Sequence, residues 1–413
     1  MQLPANPIRI AAINNVKDGG QTYLNYLKFA LDHLPAFCSP TVFQTGVVGL
    51  AKNEAEEFLG REVVEVDSYN VFSNFSSLDF DFILSNDAYV GRLIDEAIKT
   101  VFISHGSAPM PANSEYCFSD WTGYWDFILG ASKSGMKMAA NGLSKYRRDR
   151  RNLIISIAKE AIRTDVRTTF LCPIPPLKKT HMFTQPVEIT PSRDFFVGIL
   201  PTALGAIREA AAIYRHLEGI IAGILGEFPN ATIIFRPYPL DAQRQDIRQV
   251  INIMKTTGRV EIDVSGANST DFYDRCDVLI TDGSTGGMSF MLRKTTPPIY
   301  FLPENAVAND QIVQWFFGFV NTTALVAGSL EQLNERIEQC RVMTASERFN
   351  FYKTYCSEDL FLERTKQECL EEVFLSSIRN PDQFMYVDSG GRICSPDMEK
   401  TTSRPGDLPK LPF

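Results

Sequence analysis

The segment 271–286 constrains the fold of this chain more than any other, because it reads as helix, buried strand and then a small polar loop that opens a second helix. The strand is the apolar run Val278-Leu279-Ile280, and the loop is Asp282-Gly283-Ser284-Thr285, with Gly286 behind it. A loop of this kind is where α/β folds bind phosphates. The first N–H groups of the following helix lack intrahelical partners, and the helix dipole adds positive potential there. The same residues also suit an ordinary helix cap with Asp282 as the capping side chain, so the loop has two readings.

Strand and helix patterns alternate along both halves of the chain. In the first half 8–13 is a strand, a loop with Asp18, Gly19 and Gly20 follows, and 22–33 has helical spacing. This is the opening of a Rossmann-like unit without the full GxGxxG pattern, so no dinucleotide site is assigned. Apolar runs at 80–85, 100–104 and 125–129, with a helical pattern over 89–98, are expected of parallel buried strands and a crossover helix. A helix is expected around 152–163. Pro173, Pro175 and Pro176 then break the periodicity and place an interdomain linker at 171–194. Beyond it come strands at 195–200, 232–235, 260–262 and 278–280, helices at 206–225 and 246–255, and a strand at 298–301 that completes the sheet. The pattern predicts an α/β chain of two Rossmann-like, doubly wound domains, 1–170 and 195–378, facing across a cleft. The tail 379–413 has little periodic apolar content and is expected to be extended or disordered.

Size and composition agree with two domains. A chain of 413 residues is too long for one ordinary core, and 44% apolar with 22% charged residues is a globular balance. No apolar run approaches the roughly 18 residues of a membrane span, and the N-terminus lacks a signal-peptide layout, so a cytoplasmic protein is expected. Eight cysteines without a CxxC pair or a histidine cluster indicate neither a zinc site nor a disulfide framework. They are expected to be reduced thiols.

The net charge of −8 argues against nucleic acid as a partner, but Lys145-Tyr146-Arg147-Arg148-Asp149-Arg150-Arg151 runs against that average. It leads into an apolar set at helical spacing, Leu153, Ile154, Ile157, Ala158, Ala161 and Ile162. The arginines are expected to overhang the core at a solvated helix start. Alternatively, Arg147, Arg148, Arg150 and Arg151 contact an anionic acceptor or the cytoplasmic membrane face.

In doubly wound folds ligands sit at the carboxyl ends of the strands, which singles out three places. His105-Gly106 follows the strand 100–104, and an imidazole there would take a proton near neutral pH, or else pack at a domain edge. Arg236-Pro237-Tyr238-Pro239 follows 232–235; Arg236 would bind a phosphate bidentately and Tyr238 would stack on a base or donate its hydroxyl, or else the segment is a proline-bounded turn with an arginine salt bridge. Asp282, Gly283, Ser284 and Thr285 follow 278–280, with Asp282 as ribose or substrate ligand or as cap.

The order HG, then Leu200-Pro201-Thr202, then RPxP, then Asp-Val-Leu-Ile-Thr-Asp-x-Ser with an apolar helix and Pro-Ile-Tyr-Phe, resembles the CDP-glycerol glycerophosphotransferases that polymerise teichoic acids. The likeness runs over about 100–375. It implies a GT-B fold, no metal or other cofactor, His105 as base, Arg236 on the donor phosphate, and Asp282, Ser284 and Thr285 on pyrophosphate or ribose. It also implies a glycan or lipid-linked acceptor, and the basic segment 145–151 offers a landing surface for it at the inner face of the membrane. Two departures stand out: the RPHP histidine is Tyr238 here, and the DYSS loop is Asp282-Gly283-Ser284-Thr285. A tyrosine is neutral at pH 7 and lacks the charge of an imidazolium. GT-B enzymes that use CMP-activated acidic sugars are the related possibility, with Asp241 or Asp263 as nucleophile if configuration is retained. The competing classes are a GT-B-shaped nucleotide-sugar epimerase and a partner protein that keeps the fold without the chemistry.

Overall fold

The computed structural model describes residues 4, 6–15, 21–45, 50–66, 80–94, 97–104, 124–149, 168–176, 195–202, 212–238, 241–255, 258–264, 269–303, 318–361, 363–379 and 384–394. The first unit contains β1 (Ile8–Asn14), α1 (Gln21–Leu31), β2 (Cys38–Thr45), α2 (Lys52–Leu59), β3 (Val63–Val66), β4 (Phe82–Ser85), β5 (Lys99–Ile103), β6 (Phe127–Gly130), α3 (Lys133–Asp149) and β7 (Thr169–Pro173). The second contains β8 (Phe195–Leu200), α4 (Ala212–Glu227), β9 (Ala231–Phe235), α5 (Gln245–Lys255), β10 (Val260–Ile262), α6 (Ser269–Arg275), β11 (Val278–Thr281), α7 (Gly286–Lys294), β12 (Ile299–Phe301), β13 (Leu325–Ala327), α8 (Leu330–Val342) and α9 (Ala345–Glu358). The chain closes with α10 (Lys366–Arg379), β14 (Met385–Val387) and β15 (Ile393–Cys394).

The first sheet has the order β15-β14-β7-β6-β5-β4-β1-β2-β3 and the second β10-β9-β8-β11-β12-β13. Every pairing is parallel except those of β14 with β7 and β15. Parallel strands are covered by helices on both faces, which is why β1, β4, β6 and β11 read as nearly unbroken apolar runs. In each sheet the strand order reverses beside the first strand of its unit, between β1 and β4 and between β8 and β11. These are the crevices where doubly wound sheets take ligands.

Several boundaries differ from the sequence reading. Leu171, Cys172 and Pro173 belong to β7, paired with Ile128, Leu129 and Gly130, so the first sheet extends past the expected start of the linker. Pro173 sits at the last paired position, where its missing N–H costs little. The helix expected over 89–98 is a 3₁₀ turn, Ala88–Leu93. β12 is not the last strand, since β13 pairs beyond it. The helix expected around 152–163 and the Asp18-Gly19-Gly20 loop lie outside the described residues, whereas α3 carries a buried stripe of Met136, Ala139, Ala140 and Leu143.

The end of the chain is the largest correction. Residues 384–394 form an antiparallel hairpin on the edge of the first sheet, and α10 places Cys369, Leu370, Val373 and Phe374 in the first unit's core. The ring of Phe374 packs edge-on against Phe82 at 5.0 Å. Thus 366–394 completes the first unit, although in sequence it follows the second. The seven described cysteines are free thiols, five of them buried.

Candidate functional site

Register aligns the carboxyl ends of the second sheet. Ile199 pairs with Phe235, Phe235 with Ile262 and Leu200 with Thr281, so Thr202, Arg236, Asp263 and Asp282 emerge on one edge. Two of the three sequence-selected segments therefore lie on the same edge, one after β11 at the β8/β11 crevice and one after β9 on the other side of β8. The third, with His105, lies outside the described residues.

Asp282 stands inside this edge rather than on it. Its side chain has no exposure; Oδ1 accepts the Thr202 N–H at 2.7 Å and Oδ2 the Ile213 N–H at 3.1 Å. It ties the loop after β8 and the described start of α4 to the end of β11. The expectation that Asp282 touches ribose or pyrophosphate is corrected on this ground: a fully buried carboxylate whose oxygens both accept backbone hydrogen bonds shapes a crevice and does not face it. Burial pushes its pKa up to about 7, opposed by the backbone hydrogen bonds and by Arg215, an exposed guanidinium on α4.

Behind it the loop is built close to its neighbours. Ser284 N donates to Asp282 O at 2.7 Å, and Ser284 Oγ accepts Gly286 N at 3.1 Å. The fully buried Tyr300 of β12 donates its hydroxyl to Ser284 O at 2.9 Å. A side chain at Gly287 would put its Cβ 2.7 Å from that hydroxyl, and one at Gly286 would meet Leu200 at 2.5 Å and the Tyr273 hydroxyl at 3.3 Å. The Gly286-Gly287 pair is thus required by close approach. The N–H groups of Thr285 and Gly287 have no acceptor among the described residues, and Ser284, Thr285 and Gly286 are half-buried while Gly283 is buried. Gly287 is buried, so the half-buried Thr285 N–H at the start of a nine-residue helix is the place there for an anionic oxygen.

Arg236 is half-buried. Its guanidinium donates to Asp263 at 2.8 Å and lies 5.6 Å over the Phe272 ring. The salt bridge of the plainer reading is therefore present; the charge is held at the crevice edge by its partner. Tyr238 N donates to the Tyr214 hydroxyl at 2.9 Å, while Tyr238 O accepts from Asp241 and Ala242. Burial raises the Tyr214 phenol well above its ordinary value, with Asp241 bonded to it adding to the rise. Asp241 is itself buried in this turn, and Asp263 is paired to Arg236, so both carboxylates raised as nucleophiles already have partners.

The basic segment divides. Arg147 falls in the last turn of α3 and is 5% exposed. Its guanidinium donates to Val387 O, to Asp388 O at 2.9 Å and to Thr169 Oγ1 at 2.5 Å. Arg147 was expected to overhang the core, free for an acceptor or a membrane. It instead bridges α3, β7 and the C-terminal hairpin, because the hairpin covers that face and needs a donor for its carbonyls. Arg148 lies in the same turn of α3, and Arg150 and Arg151 lie outside the described residues. No helix among the described residues is long and apolar enough to cross a membrane.

The described strand ends at the crevice of the first sheet are polar, with the Asp87 carboxylate accepting from Asn15. Asn14 and Asn15, Gln44 and Thr45, and Ser85 and Asn86 are buried at the ends of β1, β2 and β4. Asn14 donates to Gln44 at 3.1 Å, Thr45 to Asn15 at 2.6 Å and Ser85 to Ile13 O at 2.8 Å. Sequence reading missed these residues along with Tyr214, Arg215, Tyr273 and Tyr300. The available signal was a switch from apolar to amide or hydroxyl side chains at strand ends.

No protein-family model matches the chain, and a search of curated proteins finds no match. Among solved structures it is similar to a Listeria monocytogenes protein assigned as a UDP-N-acetylglucosamine 2-epimerase, at 10% identity and a TM-score of 0.55, over 91% of this chain and 98% of that one. A Candida albicans trehalose-6-phosphate phosphatase N-terminal domain gives 11% identity and a TM-score of 0.52, over 92% and 98%. A Burkholderia vietnamiensis α,α-trehalose-phosphate synthase (UDP-forming) gives 11% and 0.50, over 91% and 97%. At such identities the likeness speaks for architecture. Together with the two reversed strand orders, it establishes that this chain has the GT-B fold, two Rossmann-like units in one polypeptide.

Proposed function

We propose that the protein is a transferase that moves a glycosyl or glycerophosphate group from a cytidine-nucleotide-activated donor to a cell-surface polysaccharide of the teichoic acid, capsule or lipopolysaccharide type. The observation that carries this reading is the carboxyl edge of the second sheet, where the half-buried Thr285 N–H after β11 and Arg236 after β9 could bind an anion. The motif order that resembles CDP-glycerol glycerophosphotransferases supplies the donor class, and places His105 as the base that deprotonates an acceptor hydroxyl. Helix α7 and Arg236 would then stabilise the departing nucleotide. Ser284 and Thr285 are the contacts we assign to its phosphate, with Tyr238 beside the base.

An epimerase is the second reading, favoured by the likeness to the Listeria protein and to another UDP-N-acetylglucosamine 2-epimerase with a TM-score of 0.52. Calorimetric titration with CMP, CDP, UDP and GDP separates the cases. A preference for CDP supports a glycerophosphate-like donor and a preference for CMP an acidic sugar. Binding of UDP alone moves the assignment to a hexose transferase or an epimerase, which turns over its donor without an acceptor. No binding by any of the four removes the enzyme reading and leaves a non-catalytic partner protein.

A further inference from the structure

The second unit's last helix ends against the first turn of α3 in the other unit. Helix α9 is anchored in the second unit: Tyr352, Tyr355 and Cys356 pack with Met288, Met291 and Leu292 of α7 and with Tyr300 of β12. A capping box starts it, with Thr344 Oγ1 accepting Glu347 N and Glu347 accepting Thr344 N. Helix α3 is anchored in the first unit through Met136, Ala139, Ala140 and Leu143, packed among β1, β4, β5 and β6. Between these two rigid elements lies one short stretch of shared backbone.

Asp359, the C-cap of α9, accepts the Lys133 N–H on its carbonyl at 2.7 Å and the Ser134 N–H on Oδ1 at 2.7 Å. Leu360 forms an antiparallel bridge with Ser132, and Phe361 N donates to Ala131 O at 3.4 Å. The first amides of α3 have no intrahelical acceptors, and the carboxylate that satisfies one of them is 225 residues away, on the other unit. Asp359 is 6% exposed, so water is a poor substitute for these bonds. Its place matters as well. Two residues separate β6 from the start of α3, at the carboxyl edge of the first sheet, where the crevice of that unit lies.

We propose that Asp359 is an interunit latch: by capping α3 from the end of α9 it sets how the two units are held against each other at the carboxyl edge of the first sheet. An enzyme whose reacting groups come from two units depends on such a setting, because misplacement by about 1 Å costs on the order of a hundredfold in rate. The latch is independent of the nucleotide reading; it would operate whatever the crevices bind.

Hydrogen exchange and solution X-ray scattering on the full chain test it, with variants on both sides of the bond. Asp359→Ala removes the carboxylate that accepts the Ser134 N–H and leaves the carbonyl that accepts the Lys133 N–H, so exchange at Lys133 reports opening of the latch and not loss of its own acceptor. Ser134→Pro removes the donor at the second position of α3, ahead of the first intrahelical hydrogen bonds. Both variants are expected to keep the wild-type far-ultraviolet circular dichroism. The Lys133 amide should exchange at least tenfold faster in each, with a larger radius of gyration, and the double variant should match the worse single one. Wild-type exchange at Lys133 in Asp359→Ala, or scattering curves that superimpose on wild type in both single variants, would overturn the proposal. Additive effects in the double variant would also overturn it, since they would show that the two residues do not share one contact.

Discussion

The replacement Asp282→Asn tests which force governs the buried carboxylate beneath the candidate donor loop. Desolvation raises its pKa from 3.8 to about 7, against two backbone N–H donors at 2.7 and 3.1 Å. The unfolded chain titrates near the lower value, so between the two the native state keeps a proton that the unfolded state has lost. Stability from this group is therefore full below about pH 4 and is lost as pH rises through about 7, at roughly 1.4 kcal/mol per unit. From pH 5 to pH 8 the wild type should lose about 3 kcal/mol on this account. Asparagine does not titrate, and it leaves one N–H facing an amide NH₂, a pH-independent cost of about 1–3 kcal/mol.

Urea denaturation of both proteins at pH 5, 6, 7 and 8 supplies the comparison. Every other ionisable group cancels in the difference between them, provided it lies away from Asp282. The variant should be the weaker protein at pH 5, and the gap should close or reverse by pH 8. A gap that stays constant from pH 5 to pH 8 would refute the reasoning, since a carboxyl ionised in both the native and the unfolded state exchanges no proton in that range. It would mean that the Thr202 and Ile213 amides outweigh burial, hold the carboxyl ionised and make Asp282 a charged anchor.

Arg147→Met removes a buried donor to Val387, Asp388 and Thr169, and should destabilise the first unit by about 2–4 kcal/mol, seen as a lower thermal midpoint and faster proteolysis at 384–394. Nucleotide affinity should not change; if it falls with stability intact, Arg147 belongs to a binding site after all. Arg236→Ala should weaken nucleotide binding at least tenfold in calorimetry, and equal affinity would place the donor elsewhere. His105→Ala should lower turnover by roughly a hundredfold or more while nucleotide affinity stays within a factor of two or three, and unchanged turnover would take His105 out of the mechanism.

The α/β class and most strands of the second sheet were legible because each central strand is a short apolar run closed by a polar or proline signal. Residues 231–235 end at Arg236-Pro237, and 278–281 at Asp282-Gly283. Helix α3 was not, since Gly135, Ser144, Asn141 and Gly142 dilute its pattern and its stability comes from burying Met136, Ala139, Ala140 and Leu143. The C-terminal hairpin was hidden for a different reason. Its segment carries Met385, Tyr386, Val387 and Ile393 between glycine and aspartate turns, too short a run for periodicity, and its sheet partner Thr169–Pro173 lies more than two hundred residues earlier.

The candidate site shows the same limit at the level of single side chains. Sequence position selected Arg236 and the 282–285 loop as segments that follow strands, and the register puts both on one sheet edge because parallel strands deliver their carboxyl ends together. What position could not separate was a residue that faces the crevice from one that builds it. Asp282 and Ser284 stand two apart in the chain, yet the first is closed off by Thr202 and Ile213, which come from 80 and 69 residues away. Partners outside the local sequence also explain why Tyr300 and Gly287 escaped notice. A tyrosine in an apolar strand looks like core until its hydroxyl is found against Ser284 O, and a glycine in a helix looks like a weakness until that hydroxyl is found where its Cβ would be. Polar atoms buried at a strand end are thus informative only in pairs, and the second member of each pair is what the fold, not the local sequence, provides.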